Sequence, residues 1–127
     1  MAVVSGIDDA LVLAVADGLG GLPNGAKVAR RVVESLASLT FASLPECIQS
    51  VNDAMVSDGL VGGCTLAAVE IVRGHIVVHH VGDAGALVVS DAGVVRLQTV
   101  PHSPVGHAET HEGLEEAAAL SHPQRHV

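Results

Sequence analysis

Hydrophobic and polar residues follow two different periods along this chain, and the change of period separates a helical part from a strand-rich part. Leu11 to Ala16 is a continuous apolar run that lies between Asp8-Asp9 and Asp17-Gly18. The run is too short for a helix and is typical of a strand that is buried on both faces. Glycines at positions 18, 20 and 21 follow it and indicate a turn.

Two amphipathic helices are predicted between this strand and Gly62. The first runs from about Gly25 to Leu39, and its apolar residues recur on one face: Val28, Ala29, Val32, Val33, Leu36 and Leu39. The second runs from about Pro45 to Val56, with proline in its first turn and an apolar stripe of Ile48, Val51 and Met55.

A strand-rich half begins at Gly62-Gly63. The sequence predicts one hairpin formed by Cys64 to Val72 and His75 to Val81. It predicts a second one formed by Ala86 to Val89 and Val94 to Leu97. Strand, helix, helix and then four strands indicate an α+β fold with helices packed on an antiparallel sheet. We predict a single domain over residues 1–127, with a core at 10–99 and a polar tail at 100–127 that holds a short helix near Leu114 to Leu120.

Composition narrows the class of protein. The chain has 127 residues, of which 49% are hydrophobic, so we expect one folded domain. Phe41 is the single aromatic residue, so the core must be built from aliphatic side chains. The formal net charge of −8 disfavours a nucleic-acid partner, because phosphate backbones would be repelled.

The sequence also predicts the cellular compartment of the protein. No basic start precedes the first apolar run, and charged residues interrupt the apolar runs well short of a membrane span. Cys47 and Cys64 are not a closely spaced pair, which favours a reducing compartment. We therefore expect a cytoplasmic protein with no membrane partner.

Asp17 and Asp83 each follow an apolar strand and are each flanked by glycine. Carboxylates and backbone carbonyls are the oxygen ligands that Mg²⁺ and Mn²⁺ prefer. Either aspartate alone is better explained as part of a turn that ends a strand. Two such strand ends favour a shared cation site if they converge, because two carboxylates repel unless a cation lies between them.

Three segments resemble the metal-dependent protein serine/threonine phosphatases of type 2C, the PPM family. VADGLGGLPNGAKVA at 15–29 resembles the family's ADGMGG segment. GGCTLAAVEIVRGHIVVHHVGDAGALVVSDAGVVRLQTVPHS at 62–103 resembles its G-[ST]-T-A, V-G-D-S-R and T-x-D-H-S segments, and EEAAALSHPQRHV at 115–127 resembles its E-E-A…H-P-x-R stretch. The segments occur in the family's order and cover nearly the whole chain.

The resemblance implies a four-layer α/β/β/α sandwich, here incomplete, in a cytoplasmic, bacterial-like enzyme. It implies two Mg²⁺ or Mn²⁺ ions in a cleft, with a water between them that attacks the phosphorus of phosphoserine or phosphothreonine. The ions would lower the pKa of that water, so no catalytic side-chain nucleophile is required. The implied partner is a phosphorylated protein substrate; no substrate-binding residue is identified.

The resemblance also implies roles for individual residues. Asp17 matches the aspartate that bridges the two ions, and Gly18 matches the glycine whose carbonyl binds one of them. Asp8 and Asp9 match the family's Glu-Asp pair, as a metal ligand and its supporting residue. Asp83, with Thr65 nearby, matches a third and weaker metal position.

The chain also departs from the family pattern. Residues 10–16 alone separate Asp9 from Asp17, so in one extended strand the two would lie about 26 Å apart and could not share a metal. The family hairpin is then lost or unusually bent. No basic residue precedes Asp8 to hold substrate phosphate, Pro101 replaces the usual Asp before His102, and the sequence stops at Val127 before the family's last two aspartates.

These departures leave the function open between alternatives. We expect part of a type 2C phosphatase domain whose chain alone is weak or inactive. The alternative is a degenerate, non-catalytic domain that binds phosphoprotein or another partner, and a small α+β domain without metal is a third reading. The histidine pairs 107/111 and 122/126 have helical spacing, but nearby Gly and Pro residues disfavour zinc. His75 and His79 alternate on one strand face as a possible pH-sensitive patch.

Overall fold

The computed structural model describes residues 2–7, 10–38, 43–104, 106, 108 and 118. Its elements, in chain order, are β1 (Ala2–Ile7), β2 (Ala10–Gly18), α1 (Gly25–Ser38), α2 (Leu44–Ser57), β3 (Cys64–Val72), β4 (His75–Val81), β5 (Leu87–Val89) and β6 (Val95–Gln98). Both predicted helices and all the predicted strands are present, with small shifts at their ends. The short helix expected near Leu114 falls almost wholly outside the described residues.

Strand β1 is the element that the sequence pattern does not predict. Its residues, AVVSGI, include Ser5 and Gly6, which interrupt the apolar run. β1 pairs antiparallel with β2, and the register places Ile7 opposite Ala10 and Ala2 opposite Val15. β1 and β2 thus form a hairpin at the start of the chain, while residues 10–16 lie within the single extended strand β2, which is the first of the two alternatives for the segment between Asp9 and Asp17.

The strands form two antiparallel sheets. The larger sheet has four strands in the order β1-β2-β3-β4, and β5 pairs with β6 in a separate sheet of two strands. Each strand of the larger sheet pairs antiparallel with the next one along the chain. An α+β fold with antiparallel sheets and two helices is thus confirmed.

The hydrophobic core lies between the two helices and one face of the larger sheet. The sheet contributes small side chains at its centre, Ala14, Ala16 and Ala68, and each is almost fully buried. Small residues at these positions allow α1 to approach the sheet closely. The larger members of the core are Val12, Leu66, Val32, Val33, Leu36, Leu44 and Val51, with the Cys47 thiol fully buried among them.

Strand β2 is buried on one face only, so the prediction that both of its faces are buried is wrong. Val12 is 3% exposed, whereas Leu11, Leu13 and Val15 on the opposite face are 37%, 38% and 53% exposed. The helices cover the first face, and the second face carries aliphatic side chains in contact with solvent.

A side-chain cap fixes the start of α2, and an ion pair joins its end to the middle of α1. Ser43 caps α2 by accepting a hydrogen bond from the Glu46 N–H at 3.4 Å. Arg31 of α1 forms an ion pair of 2.6 Å with Asp58 at the end of α2. This pair is partly exposed and therefore adds little stability. None of the described helices is long and apolar enough to cross a membrane.

The two faces of β2 provide a test of this packing. Val12→Lys places a charge in the core and should lower the free energy of unfolding by about 3 kcal/mol or more. Leu13→Lys, one residue away on the exposed face, should change it by less than about 1 kcal/mol. Denaturant unfolding followed by circular dichroism measures both variants. Equal losses for the two would show that both faces are buried.

Candidate metal-binding site

Asp17 lies near the end of β2, on the face of the sheet opposite the helices. The strand alternation fixes this direction, because Ala16 is fully buried against the helices and the next side chain must point the other way. In the ladder Asp17 pairs with Thr65 of β3. The carboxylate is exposed and therefore accessible to a ligand.

The backbones of Gly18 and Gly25 are in close contact. A Cβ at Gly18 would lie 2.4 Å from the carbonyl carbon of Gly25, and a Cβ at Gly25 would lie 2.7 Å from the carbonyl oxygen of Leu19. Only residues without side chains allow the end of β2 to meet the start of α1 in this way. The glycine after Asp17 is therefore required by packing as well as by any ligand.

The carbonyl group of Gly18 is directed away from β3. The Leu19 N–H donates to the Gly63 carbonyl at 3.0 Å, so these two residues form a hydrogen-bonded pair. By the alternation of an antiparallel ladder, the preceding pair of Gly18 and Cys64 is not hydrogen-bonded. On the other side, the described part of β1 reaches only as far as Val15. The Gly18 carbonyl, which directly follows Asp17 in the chain, is therefore not bonded to β3.

Asn24 holds the glycine-rich turn that follows β2. Its backbone has a φ of 63°, and its side-chain amide donates to the Val61 carbonyl at 2.9 Å. Its own carbonyl accepts from the Val28 N–H at 2.9 Å and begins α1. The sequence indicates Asn24 only as a helix start; its link to the segment before β3 depends on tertiary structure.

Asp83 lies at the same end of the sheet as Asp17, as the sequence predicts. β2 and β4 are both antiparallel to β3, so they run in the same direction, and β4 ends where Val81 pairs with Leu66. One strand separates β2 from β4, which places their axes about 10 Å apart. The strand ends that lead to the two aspartates therefore lie at one end of the sheet, with β3 between them.

Thr65 lies between the two aspartates. It is 8% exposed although it faces away from the helices, because the turn after β4 covers it. A Cβ at Gly82, which has a φ of 81°, would lie 2.6 Å from the Thr65 methyl carbon. Glycine at position 82 is needed for this contact and for the turn that carries Asp83.

Asp8 and Asp9 lie outside the described residues, so their role as metal ligands stays a prediction. Ala10, the next described residue, begins β2, and Asp17 lies seven residues further along this extended strand. That separation corresponds to about 23 Å, which exceeds the span of any single cation site. The structure therefore does not bring the start of β2 to the Asp17 carboxylate.

The resemblance implies a pair of Mg²⁺ or Mn²⁺ ions, and the described residues offer ligands for part of such a site. Asp17 and the Gly18 carbonyl provide two adjacent oxygen ligands, which fit one hydrated hard cation. Within the described part of the chain, no group of three or more His, Cys, Asp and Glu side chains could hold a metal ion. The described residues therefore fit one divalent cation, bound at Asp17. His107, His111, His122 and His126 lie outside the described residues.

The cysteines are not suited to nucleophilic or metal-binding roles. Both are free thiols, which agrees with the absence of a predicted disulfide. Burial raises the pKa of the Cys64 thiol, and the negative charge of Asp17 raises that pKa further. Burial also raises the pKa of Cys47. Both thiols stay protonated near neutral pH.

A histidine pair that the sequence analysis does not identify lies beside the site. His80 pairs with Ala67 and so shares a sheet face with Asp17. Its ring lies against that of His102, with the centroids 4.2 Å apart. Burial lowers the pKa of His80, and the charge of His102 lowers it further. Because His80 and His102 are 22 positions apart, their contact produces no local sequence pattern that could predict it.

Two solved structures match this chain over its whole length. The PPM Ser-Thr phosphatase MsPP from Mycobacterium smegmatis, in complex with cacodylate, gives a TM-score of 0.73 at 27% identity, over 99% of this chain and 57% of that one. The serine/threonine phosphatase Stp1 from Staphylococcus aureus gives 0.74 at 22% identity, over 100% and 57%. No protein-family model matches the chain, and no curated protein matches it.

These comparisons confirm the resemblance that the sequence segments indicate. The chain has the fold of the PPM serine/threonine phosphatases over its whole length, and it spans little more than half the length of the two phosphatases it matches. A phosphatase-type hydrolase fold is thereby established for these residues. The activity itself is a separate question.

Substitution of glycine by alanine tests the contact at the end of β2. Gly18→Ala should lower the free energy of unfolding by about 1–3 kcal/mol, because its Cβ would overlap the backbone of Gly25. Gly20→Ala is the matched control, since a Cβ there meets nothing within 4 Å and should change stability by about 1 kcal/mol at most. Thermal denaturation of both variants measures this; a Gly18→Ala variant as stable as Gly20→Ala would contradict the contact.

The histidine pair predicts a pH dependence of stability. The folded pKa of His80 lies below the ordinary value of 6.5, so the unfolded chain takes up a proton first as pH falls. The contribution of His80 to the free energy of unfolding is therefore fully present above pH 6.5. It decreases as the pH falls from there toward the pKa of His80 in the folded protein. Denaturant unfolding from pH 7.5 to 5 should show a smaller decrease in His80→Gln than in wild type. An equal decrease in the two proteins would contradict this contribution of His80.

Proposed function

We propose that this chain forms part of a metal-dependent protein serine/threonine phosphatase of the PPM type. The observation that carries the proposal is the placement of Asp17 and the Gly18 carbonyl at a strand end, within a fold that matches two such phosphatases. The proposed substrates are proteins phosphorylated on serine or threonine. The free thiols fit a reducing compartment, and we propose a cytoplasmic location.

Three groups would hold divalent cations. Asp17 and the carbonyl of Gly18 would bind one Mg²⁺ or Mn²⁺ ion together with water molecules, and Asp83 would bind a peripheral one. When bound, such ions lower the pKa of a coordinated water and offset the negative charge of a phosphoryl group. The protein would hold the Asp17 carboxylate on the exposed face of the sheet. Gly18, which has no side chain, would leave its carbonyl accessible to the cation.

The charge available sets the expected strength of binding and activity. Two divalent ions a few ångströms apart repel strongly, so a two-ion site needs several carboxylates. Asp17 is the one carboxylate that the described structure places at the proposed site. We therefore propose weak cation binding and very low turnover for these 127 residues. Cacodylate, bound in the MsPP structure, is a tetrahedral oxyanion, as a phosphate group is, and this supports a phosphoester substrate.

The sparse donor set also favours a second candidate function. A PPM-type fold that lacks the charge for two ions could bind a phosphorylated protein without hydrolysing it. In this case a phosphothreonine peptide would bind to the chain and remain intact, with or without Mn²⁺. Peptide binding followed by fluorescence anisotropy, with phosphate release assayed in the same samples, separates this candidate from the phosphatase.

Removal of one charge tests the phosphatase proposal directly. Asp17→Asn should abolish both Mn²⁺ binding at the strand end and any hydrolysis of p-nitrophenyl phosphate by the wild-type chain. Asp91→Asn, in the β5–β6 turn, is the matched control and should keep the wild-type values. Calorimetry measures Mn²⁺ binding, and release of p-nitrophenol measures turnover.

Each outcome of this experiment bears on a different part of the proposal. Wild-type chain that binds no Mn²⁺, or that binds it equally well as Asp17→Asn, would rule out the site at Asp17. Rapid turnover that depends on Asp17 would show that fewer carboxylates are enough than we propose. Binding of Mn²⁺ without turnover would leave the non-catalytic candidate in place.

A further inference from the structure

Strand β4 forms one edge of the larger sheet, because the strand order is β1-β2-β3-β4. On its inner side it pairs with β3 through the two-residue turn Arg73-Gly74. Both residues of this turn have positive φ, 48° and 78°. A two-residue turn of this kind closes a hairpin on a hydrogen-bonded pair, which here is Val72 and His75.

This closing pair determines which backbone groups of β4 point away from β3. Hydrogen-bonded and non-hydrogen-bonded pairs alternate along an antiparallel ladder, so Val77 and His79 are bonded to β3. Ile76, Val78 and His80 then direct both the N–H and the carbonyl group outward. Among the hydrogen bonds between described residues, none uses these outward groups. The edge of β4 therefore offers a row of free donors and acceptors.

The other side of β3 gives the same alternation. The Leu19 N–H donates to the Gly63 carbonyl at 3.0 Å, so this pair is hydrogen-bonded. Counted from Gly63, the odd-numbered residues of β3 bond to β2 and the even-numbered residues bond to β4. Ala68 and Glu70, the β3 partners of His79 and Val77, are even-numbered. Two independent observations thus assign the outward groups.

The side chains of β4 do not protect this edge. The strand HIVVHHV has no Lys, Arg, Asp, Glu or Pro, and it pairs with β3 residue for residue, without a bulge. Ile76 and Val77 are 48% and 40% exposed. Exposed edge strands usually carry a charge, a proline or a bulge, because an open edge pairs with other extended chains. The absence of these devices in β4 favours pairing with another strand.

Strand β4 is complementary to a second copy of itself. In an antiparallel pair centred on Val78, each Val78 would lie opposite the other, and Ile76 would lie opposite His80 of the second copy. Each outward N–H would then meet an outward carbonyl group. On the helix side of the sheet, Val77 would lie opposite His79 of the second copy.

A groove along this edge has room for the exposed valine. The groove lies between α2 and β4, and it is lined by Pro45, Ile48, Gln49, Leu66 and residues 78–81. His79 is one of the lining residues, so Val77 of a second copy, placed opposite His79, would enter the groove. The exposed Val77 and the groove are therefore at the two positions that a two-fold axis at Val78 exchanges. This match identifies a second copy as the occupant.

We propose that two copies of this chain associate edge to edge through β4, in one continuous antiparallel sheet with a two-fold axis at Val78. This association does not depend on the proposed phosphatase function. One strand from each copy makes a contact smaller than the roughly 800 Å² per partner of a standard interface. Repulsion between two chains of net charge −8 also acts against it. The dimer is therefore weak and depends on concentration.

Amide hydrogen exchange tests the pairing in the unmodified 127-residue chain. NMR spectroscopy measures the exchange rates at low and high protein concentration. The amides of Val77 and His79 are bonded to β3 and should be protected at both concentrations. Those of Ile76, Val78 and His80 should exchange rapidly in dilute solution. They should slow about tenfold once about nine-tenths of the chain is dimeric, because a bonded amide exchanges only from the open form.

Sedimentation equilibrium measures the dissociation constant of the dimer, whose mass is twice the 12.8 kDa of one chain. Val78→Lys would place two ammonium groups opposite each other and should raise this constant about tenfold, because like charges directly opposite destabilise a strand pair. Val78→Pro removes an outward N–H that the hairpin does not use. It should have the same effect and replaces Val78→Lys if that variant fails to fold.

Two matched controls place the same charge elsewhere. Leu13→Lys lies on the exposed face of the larger sheet, and Val95→Lys lies on the separate two-stranded sheet. Both should keep the wild-type dissociation constant. A dimer that is weakened by either control and not by Val78→Lys would place the contact on one of those surfaces and overturn the proposal.

Two further results would overturn it. The first is a chain that stays monomeric up to about 1 mM. The second is a dimer in which the amides of Ile76, Val78 and His80 exchange as rapidly as in the monomer. None of these results bears on the site at Asp17, so a failure here leaves the proposed function to its own test with Asp17→Asn.

Discussion

The contact between the backbones of Gly18 and Gly25 is the constraint on which the rest of the structure depends. It joins the end of β2 to the start of α1 with no side chain between them. From this junction α1 runs across the sheet and packs its apolar face on Ala14 and Ala16. Because the even-numbered residues of β2 face the helix, Asp17 must face the other side. One close approach thus fixes both the core and the direction of the candidate ligand.

The candidate site follows from this arrangement and from the antiparallel order of the strands. β3 separates β2 from β4, so the strand ends before Asp17 and Asp83 lie at the same end of the sheet without direct contact. Thr65 occupies the position between them and supports the turn at Gly82. The chemistry of a two-ion phosphatase needs additional negative charge close to Asp17, because two divalent ions a few ångströms apart repel each other.

The face of the larger sheet that lies opposite the helices is apolar along β2. Leu11, Leu13 and Val15 have the composition of a buried strand, and yet they are exposed to solvent. In a sandwich of two sheets, such side chains would lie against a second layer. The matching phosphatases are longer chains, of which these residues cover 57%. In this chain the helices cover one face of β2, and the apolar side chains of the other face contact solvent.

The sequence by itself determined the helices, most strands, the α+β class and the resemblance to PPM phosphatases, because hydrophobic period and glycine-flanked aspartates are local patterns. It missed β1, whose Ser5 and Gly6 break the apolar run, and it could not show that one face of β2 is exposed. Only the tertiary structure decided that β3 separates the strand ends before Asp17 and Asp83, that His80 meets His102, and that Thr99 is hydrogen-bonded to Ala86. These contacts join residues far apart in the chain, and their partners are selected by strand register and loop closure, which no local pattern encodes.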